Sequence, residues 1–128
     1  MVAHIVRLGS TRLEGEGTRI GTVRRPPRGV PRTAFASANW YDVWYPNLAP
    51  SVATMKLGQQ ASGTSAWLAF ARKYRAEMAT SENSRTLDLL AAFSHHTHYS
   101  VGCYCEDEAH CHRSILRALL IDRGAAVA

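Results

Sequence analysis

Residues 98–125 constrain the fold more than any other stretch of this chain. "HYSVGCYC" (98–105) has the composition of a buried strand, "EDEAHCH" that follows is a polar loop, and "RSILRALLIDRGA" (113–125) is helical. Ile115, Leu116, Leu119 and Leu120 recur at the spacing of one helix face, and Gly124 supplies the stop. A strand that feeds a helix through a short loop is the unit of an α/β layer. It belongs to neither a helical bundle nor a β-sandwich.

The remaining elements agree with that unit. "HIVRLG" (4–9) and "TRIGTVR" (18–24) read as strands, and "RRPPRGVP" (24–31) is an extended loop, because its three prolines remove backbone donors and restrict the residues before them. In "NWYDVWYPNLAPS" (39–51), Trp40, Val43 and Trp44 fall at helical spacing, although a strand is also compatible, and the tryptophans are expected to pack in the core. Ser51 is placed to cap a helix running to about residue 58. "SAWLAFARKYRAEM" (65–78) puts Trp67, Phe70, Ala71, Tyr74 and Met78 on one face, and "TSENSRTLDLLAAF" (80–93) continues as another helix, capped by Ser81 or its rival Ser84. The expected fold is α/β: one small layered domain over residues 1–128, with a short, mostly parallel sheet flanked by helices.

A chain of 128 residues, 46% apolar and 20% charged, is sufficient for one core. The first twenty residues are interrupted by charges and no later apolar run is long enough to span a bilayer, so a cytoplasmic protein with no membrane partner is expected. Three cysteines crowded near one loop do not resemble a secreted disulfide framework; reduced thiols follow. The net charge of +5 is uneven. Residues 1–32 hold seven arginines against Glu14 and Glu16, and the rest of the chain carries eight basic and eight acidic side chains. Arginine suits bidentate contact with phosphate or carboxylate, which points to an anionic partner. Oligomeric state is not encoded in any pattern of this sequence.

"CYCEDEAHCHRS" (103–114) concentrates the chemistry, and three readings of it are open. The first is an anion pocket: if the strands are parallel neighbours, the "RRPPRG" and "CEDEAHCHR" loops meet beyond their carboxyl ends. Arg25, Arg28, Arg113 and the helix head at Ser114 would then hold a small phosphorylated or carboxylated ligand, with His112 or Glu108 available for proton transfer. In the second, Cys111 is a reactive thiol, favoured by the helix N-terminus, His112 and Arg113 and opposed by Glu106, Asp107 and Glu108. In the third, Cys103 and Cys105, two apart on a strand and so on one side, join Cys111 and His110 around zinc, with His112 the other candidate histidine. The short Cys-x-Cys spacing makes zinc the less favoured cofactor. A separate class is nucleic-acid binding by the arginine-rich N-terminal quarter, with Trp40, Tyr41 or Trp44 stacking on bases.

Taken together, "RIGTVRRPPRGV", "NLAPS", "WLAFARKYRAEM" and "CEDEAHCHRSILRALL" resemble, in that order and across about residues 5–125, the DUF488 family of uncharacterised bacterial proteins, which includes the YeaO-like proteins. The resemblance implies an α/β fold and carries no established reaction. Within the family some members share Cys-His-Arg at the head of the last helix, as Cys111, His112 and Arg113 do. YeaO-like relatives have the acidic pattern matched by Asp107, Glu108 and His110. The resemblance therefore implies that cysteine chemistry belongs to one branch.

Overall fold

The computed structural model describes residues 1–128. Four parallel strands, β1 (Ala3–Arg7), β2 (Thr18–Gly21), β3 (Val43–Trp44) and β4 (Tyr99–Cys103), form one sheet in the order β1-β4-β2-β3. The last strand thus occupies the middle, with Val101 beside Ile5 on one side and Ile20 on the other. Every residue of "YSVGC" is buried, which accounts for its composition: a central parallel strand has no face left for water.

The helices are α1 (Val52–Gln59), α2 (Thr64–Met78), α3 (Ser81–Phe93) and α4 (His112–Asp122). Phe70, Tyr74 and Met78 of α2, Leu87 of α3, and Ile115, Leu116 and Leu120 of α4 pack in one cluster with Ala3, Tyr99 and Val101 of the sheet. The apolar stripes of the sequence therefore face a single side of the sheet. Ser51 caps α1 as expected, accepting a hydrogen bond from the Thr54 amide. At α3 the helix begins on Ser81 itself, and the cap position falls on Thr80, whose side chain makes no capping bond. No helix is long and apolar enough to cross a membrane.

The opposite face is covered by loops. Gly102 meets Leu8 and Gly21 meets the Tyr41 ring, so close that a Cβ on either glycine would collide. Beside them Arg19 and Glu16 are enclosed: the guanidinium donates to both carboxylate oxygens at 2.7 and 2.8 Å and to the carbonyls of Ser10 and Asn39 at 2.9 and 2.8 Å. Glu16 also accepts from the Leu13 amide and from the Ser100 hydroxyl. Its burial acts to raise the carboxyl pKa, but these hydrogen bonds and the Arg19 charge together hold it down at about 2. One buried, fully satisfied ion pair therefore ties the β1–β2 and β2–β3 connections to the central strand.

The helical spacing of Trp40, Val43 and Trp44 did not produce a helix. Val43 and Trp44 extend along β2 as the edge strand, where the indole of Trp44 donates to the Val23 carbonyl at 2.8 Å. Neither tryptophan is fully buried: Trp40 is half-buried and Trp44 exposed.

Candidate functional site

Because all strands are parallel, β1, β2 and β4 end on the same edge of the sheet. The segments that leave them, Arg7–Ser10, Thr22–Arg28 and Cys103–Cys105, wall a cleft of about 1220 Å³ that is closed on the far side by α1 and by Trp67 and Phe70 of α2. The two loops singled out in the sequence do meet: the Tyr104 hydroxyl donates to the Arg25 carbonyl at 2.8 Å. This is the strand-end position where open parallel sheets bind ligands.

The charge of the lining is one-sided. Arg7, Arg24, Arg25, Arg28 and Lys56 all contribute, and no aspartate or glutamate does. Arg24 is engaged with the carbonyls of Ala49 and Pro50, and Arg7 lies 3.5 Å from Glu106, a residue outside the lining. Arg25, Arg28 and Lys56 have no ion-pair partner within the chain.

Cys103, Cys111 and His112 sit on the floor, all three buried, with one donor atom of each within 4.8 Å of the others. Cys105 joins them, its Sγ 3.8 Å from that of Cys103. Cys105 lies past the end of β4 and is exposed, so the turn, and not strand alternation, brings its sulfur to the buried Cys103. Hydrogen bonds from the Cys103 thiol, then from Cys105 and from His112, pull the Cys111 pKa far below its ordinary value. Cys103 is pushed far above its own by its bonding to Cys105 and Cys111 and by burial. Negative charge in the cluster therefore collects on Cys111, the residue that opens α4, where unpaired amides and the helix dipole favour it.

His112 is held from behind. The Thr22 hydroxyl is 2.9 Å from the Gly102 carbonyl and 3.1 Å from His112 Nε2. A carbonyl only accepts, so the single hydroxyl proton goes to Gly102, and Nε2 must donate to the Thr22 oxygen. The other ring nitrogen, Nδ1, faces the cysteines and lies 3.7 Å from Cys111 Sγ. Thr22 carries no sequence signal of this role, since its meaning depends on the pairing of β2 with β4.

Other expected site residues lie elsewhere. Arg113 is buried and does not line the cleft; it donates to the Cys105 carbonyl at 2.6 Å, bracing the cysteine loop, and its Nε has no partner. The Ser114 hydroxyl is turned back onto the Cys111 carbonyl at 3.0 Å. Glu108 is paired with Arg117 at 2.7 and 2.9 Å and does not line the cleft. His110 stands on the rim, bonded to Asp107 at 2.7 Å and edge-on to Trp67, so His112 takes the place assigned to it among the sulfurs. Tyr41 is only 2% exposed and is unavailable for base stacking.

No curated protein and no solved structure matches the chain. A family model does, over residues 3–124, an extent that includes all four strands, the cysteine loop and α4. The model is DUF488-N3a, described as the active DUF488-N3 subclade, and the chain belongs to this family.

Proposed function

We propose that this protein binds a small phosphorylated or carboxylated ligand in the strand-end cleft, with Arg25, Arg28 and Lys56 receiving its anionic group and the sulfur–imidazole floor facing its reacting end. The observation that carries the reading is the lining: five cationic side chains and not one carboxylate, in a chain with ten acidic residues. A low-dielectric cleft of one sign concentrates counter-ions, and arginines without partners are free for bidentate contacts. The volume, about 1220 Å³, suits a ligand of nucleotide or sugar-phosphate size better than a bare ion. The family description marks an active subclade, which accords with reactive groups on the floor.

A thermal-shift panel tests the reading: inorganic phosphate, nucleoside mono- and diphosphates, sugar phosphates and dicarboxylates, each against the wild-type chain and an Arg25→Ala/Arg28→Ala variant. A ligand at a hundred times its Kd stabilises by about 2.7 kcal/mol. For 128 residues that corresponds to a rise of roughly 10 °C. The double variant is expected to lose most of it. An undiminished shift in that variant would refute the site. Nucleic-acid binding is supported less well, because Trp40 and Trp44 remain as stacking candidates but Tyr41 is enclosed. Binding to mixed-sequence DNA that weakens steeply with salt would favour it.

A further inference from the structure

Three buried donor groups, Cys103, Cys111 and His112, lie together on the cleft floor, and the exposed Cys105 borders them. Tetrahedral zinc with sulfur at about 2.3 Å and nitrogen at about 2.0 Å sets sulfur–sulfur edges of about 3.8 Å and sulfur–nitrogen edges of about 3.5 Å. Cys103 Sγ and Cys105 Sγ are 3.8 Å apart, and Cys111 Sγ and His112 Nδ1 are 3.7 Å apart. Cys103, Cys111 and His112 place one donor atom each within 4.8 Å of one another, and Cys105 borders this set through Cys103. We propose that Cys103, Cys105, Cys111 and His112 bind a thiophilic divalent cation, zinc by class, at the head of α4, with Thr22 as the residue that orients the histidine.

Two further features point to a ligand role and not to simple packing. A metal-bound imidazole needs one nitrogen free and the other anchored by a hydrogen bond, and Thr22 provides that anchor. With its own proton on the Gly102 carbonyl, Thr22 receives Nε2–H and leaves Nδ1 facing the sulfurs, the nitrogen a metal would take. The electrostatic surroundings also suit three thiolates on a dication, a centre of net charge −1. The acid-free lining places Arg25, Arg28 and Lys56 around the same cleft, while the carboxylates of the loop are occupied elsewhere, Asp107 with His110 and Glu108 with Arg117. Soft sulfur ligands select zinc over magnesium or calcium, which take oxygen. Binding displaces the thiol protons, so affinity falls as the pH is lowered.

The site goes beyond the anion reading and does not depend on it. The test uses the full chain, reduced, stripped with a chelator and titrated with zinc against a chromophoric competitor, then with cobalt(II) as a spectroscopic substitute. One equivalent of zinc is expected, and cobalt(II) should give the visible bands of a tetrahedral ion with thiolate charge-transfer absorption. Cys105→Ser should lower that absorption by about a third, as one of three sulfurs is lost. Thr22→Val should weaken zinc binding by about 10–100-fold with the stoichiometry unchanged. His110→Ala should leave affinity where it was. Cobalt(II) that stays octahedral, zinc below a tenth of an equivalent, or equal affinity in wild type and Thr22→Val would overturn the assignment. The anion panel, run on metal-free protein, reports separately on the cleft.

Discussion

Replacing Arg19 with methionine keeps much of the side-chain length and deletes only the charge and its donors. Glu16 would remain 2% exposed with the Leu13 amide and the Ser100 hydroxyl as its only partners, and the carbonyls of Ser10 and Asn39 would each lose a donor. Stranding one member of a buried pair costs about 3–5 kcal/mol. With an unfolding entropy of about 2.1 cal/mol/K per residue, a chain of 128 residues loses roughly 11–19 °C in Tm. Differential scanning calorimetry at pH 7 measures this directly. The pH dependence supplies a second check. Glu16 has a folded-state pKa of about 2 against an ordinary 4.5, so its contribution is complete above pH 4.5 and disappears as the pH falls toward 2. In Arg19→Met the stranded carboxyl regains neutrality on acidification. The gap between the two proteins therefore narrows from pH 5 down to pH 2, and adding Glu16→Gln to the variant restores part of the loss at pH 7. A Tm loss below about 4 °C, the size of an exposed ion pair, or a gap indifferent to pH in that window, would refute the argument.

Gly17 has φ +75° and a Cβ there would lie 2.0 Å from the His98 carbonyl oxygen, so Gly17→Ala is expected to cost at least about 2 kcal/mol, whereas Gly15→Ala, at φ +72° with open space around it, costs about 1; denaturant titration of the pair separates the clash from the backbone strain. Ser51 caps α1 and its hydroxyl also donates to Glu77 at 2.7 Å, so Ser51→Ala should lose about 1–2 kcal/mol, read as a midpoint shift at unchanged m-value. Arg117→Ala breaks a pair whose side chains are each about a third exposed, and should move Tm by less than about 4 °C and shrink further in high salt.

Where a short window contained the physics, the sequence was readable. Trp67, Phe70, Tyr74 and Met78 lie on one face of α2 because their spacing allows nothing else, and Ser51 precedes a helix because its oxygen fits the open amides. The apolar run ending in Cys103 identified a buried strand. Trp40, Val43 and Trp44 misled because three aromatic or branched residues at helical intervals carry no record of the neighbour that claims them; pairing of Val43 with Ile20 fixed the extended form. The meeting of the arginine and cysteine loops was legible once the strands were taken as parallel. Which side chains enter the cleft was not. Arg113 and His112 are adjacent, yet the first turn of α4 sends one behind the loop and the other toward the sulfurs, and helix phase relative to a sheet is a tertiary fact. Lys56 joined the wall by the same kind of placement, as a lone lysine on α1.

The place of β4 in the strand order bears on how the molecule is made. β1 and β2 flank it and cannot hydrogen-bond to one another, so β1 has no neighbouring strand and β2 only the two-residue β3 until a strand about a hundred residues along the chain arrives; the Ser100–Glu16 bond alone spans 84 positions. Contacts of that separation slow folding, because the loop must close before anything rewards the closure. During synthesis the arginine loop is made before the rest of the cleft exists, and Cys103, Cys105 and Cys111 are made with the central strand or just after it. Sheet closure and assembly of the site are thus one event. A nascent chain shortened before residue 99 would hold the α1–α3 sequence and the cationic loop without either.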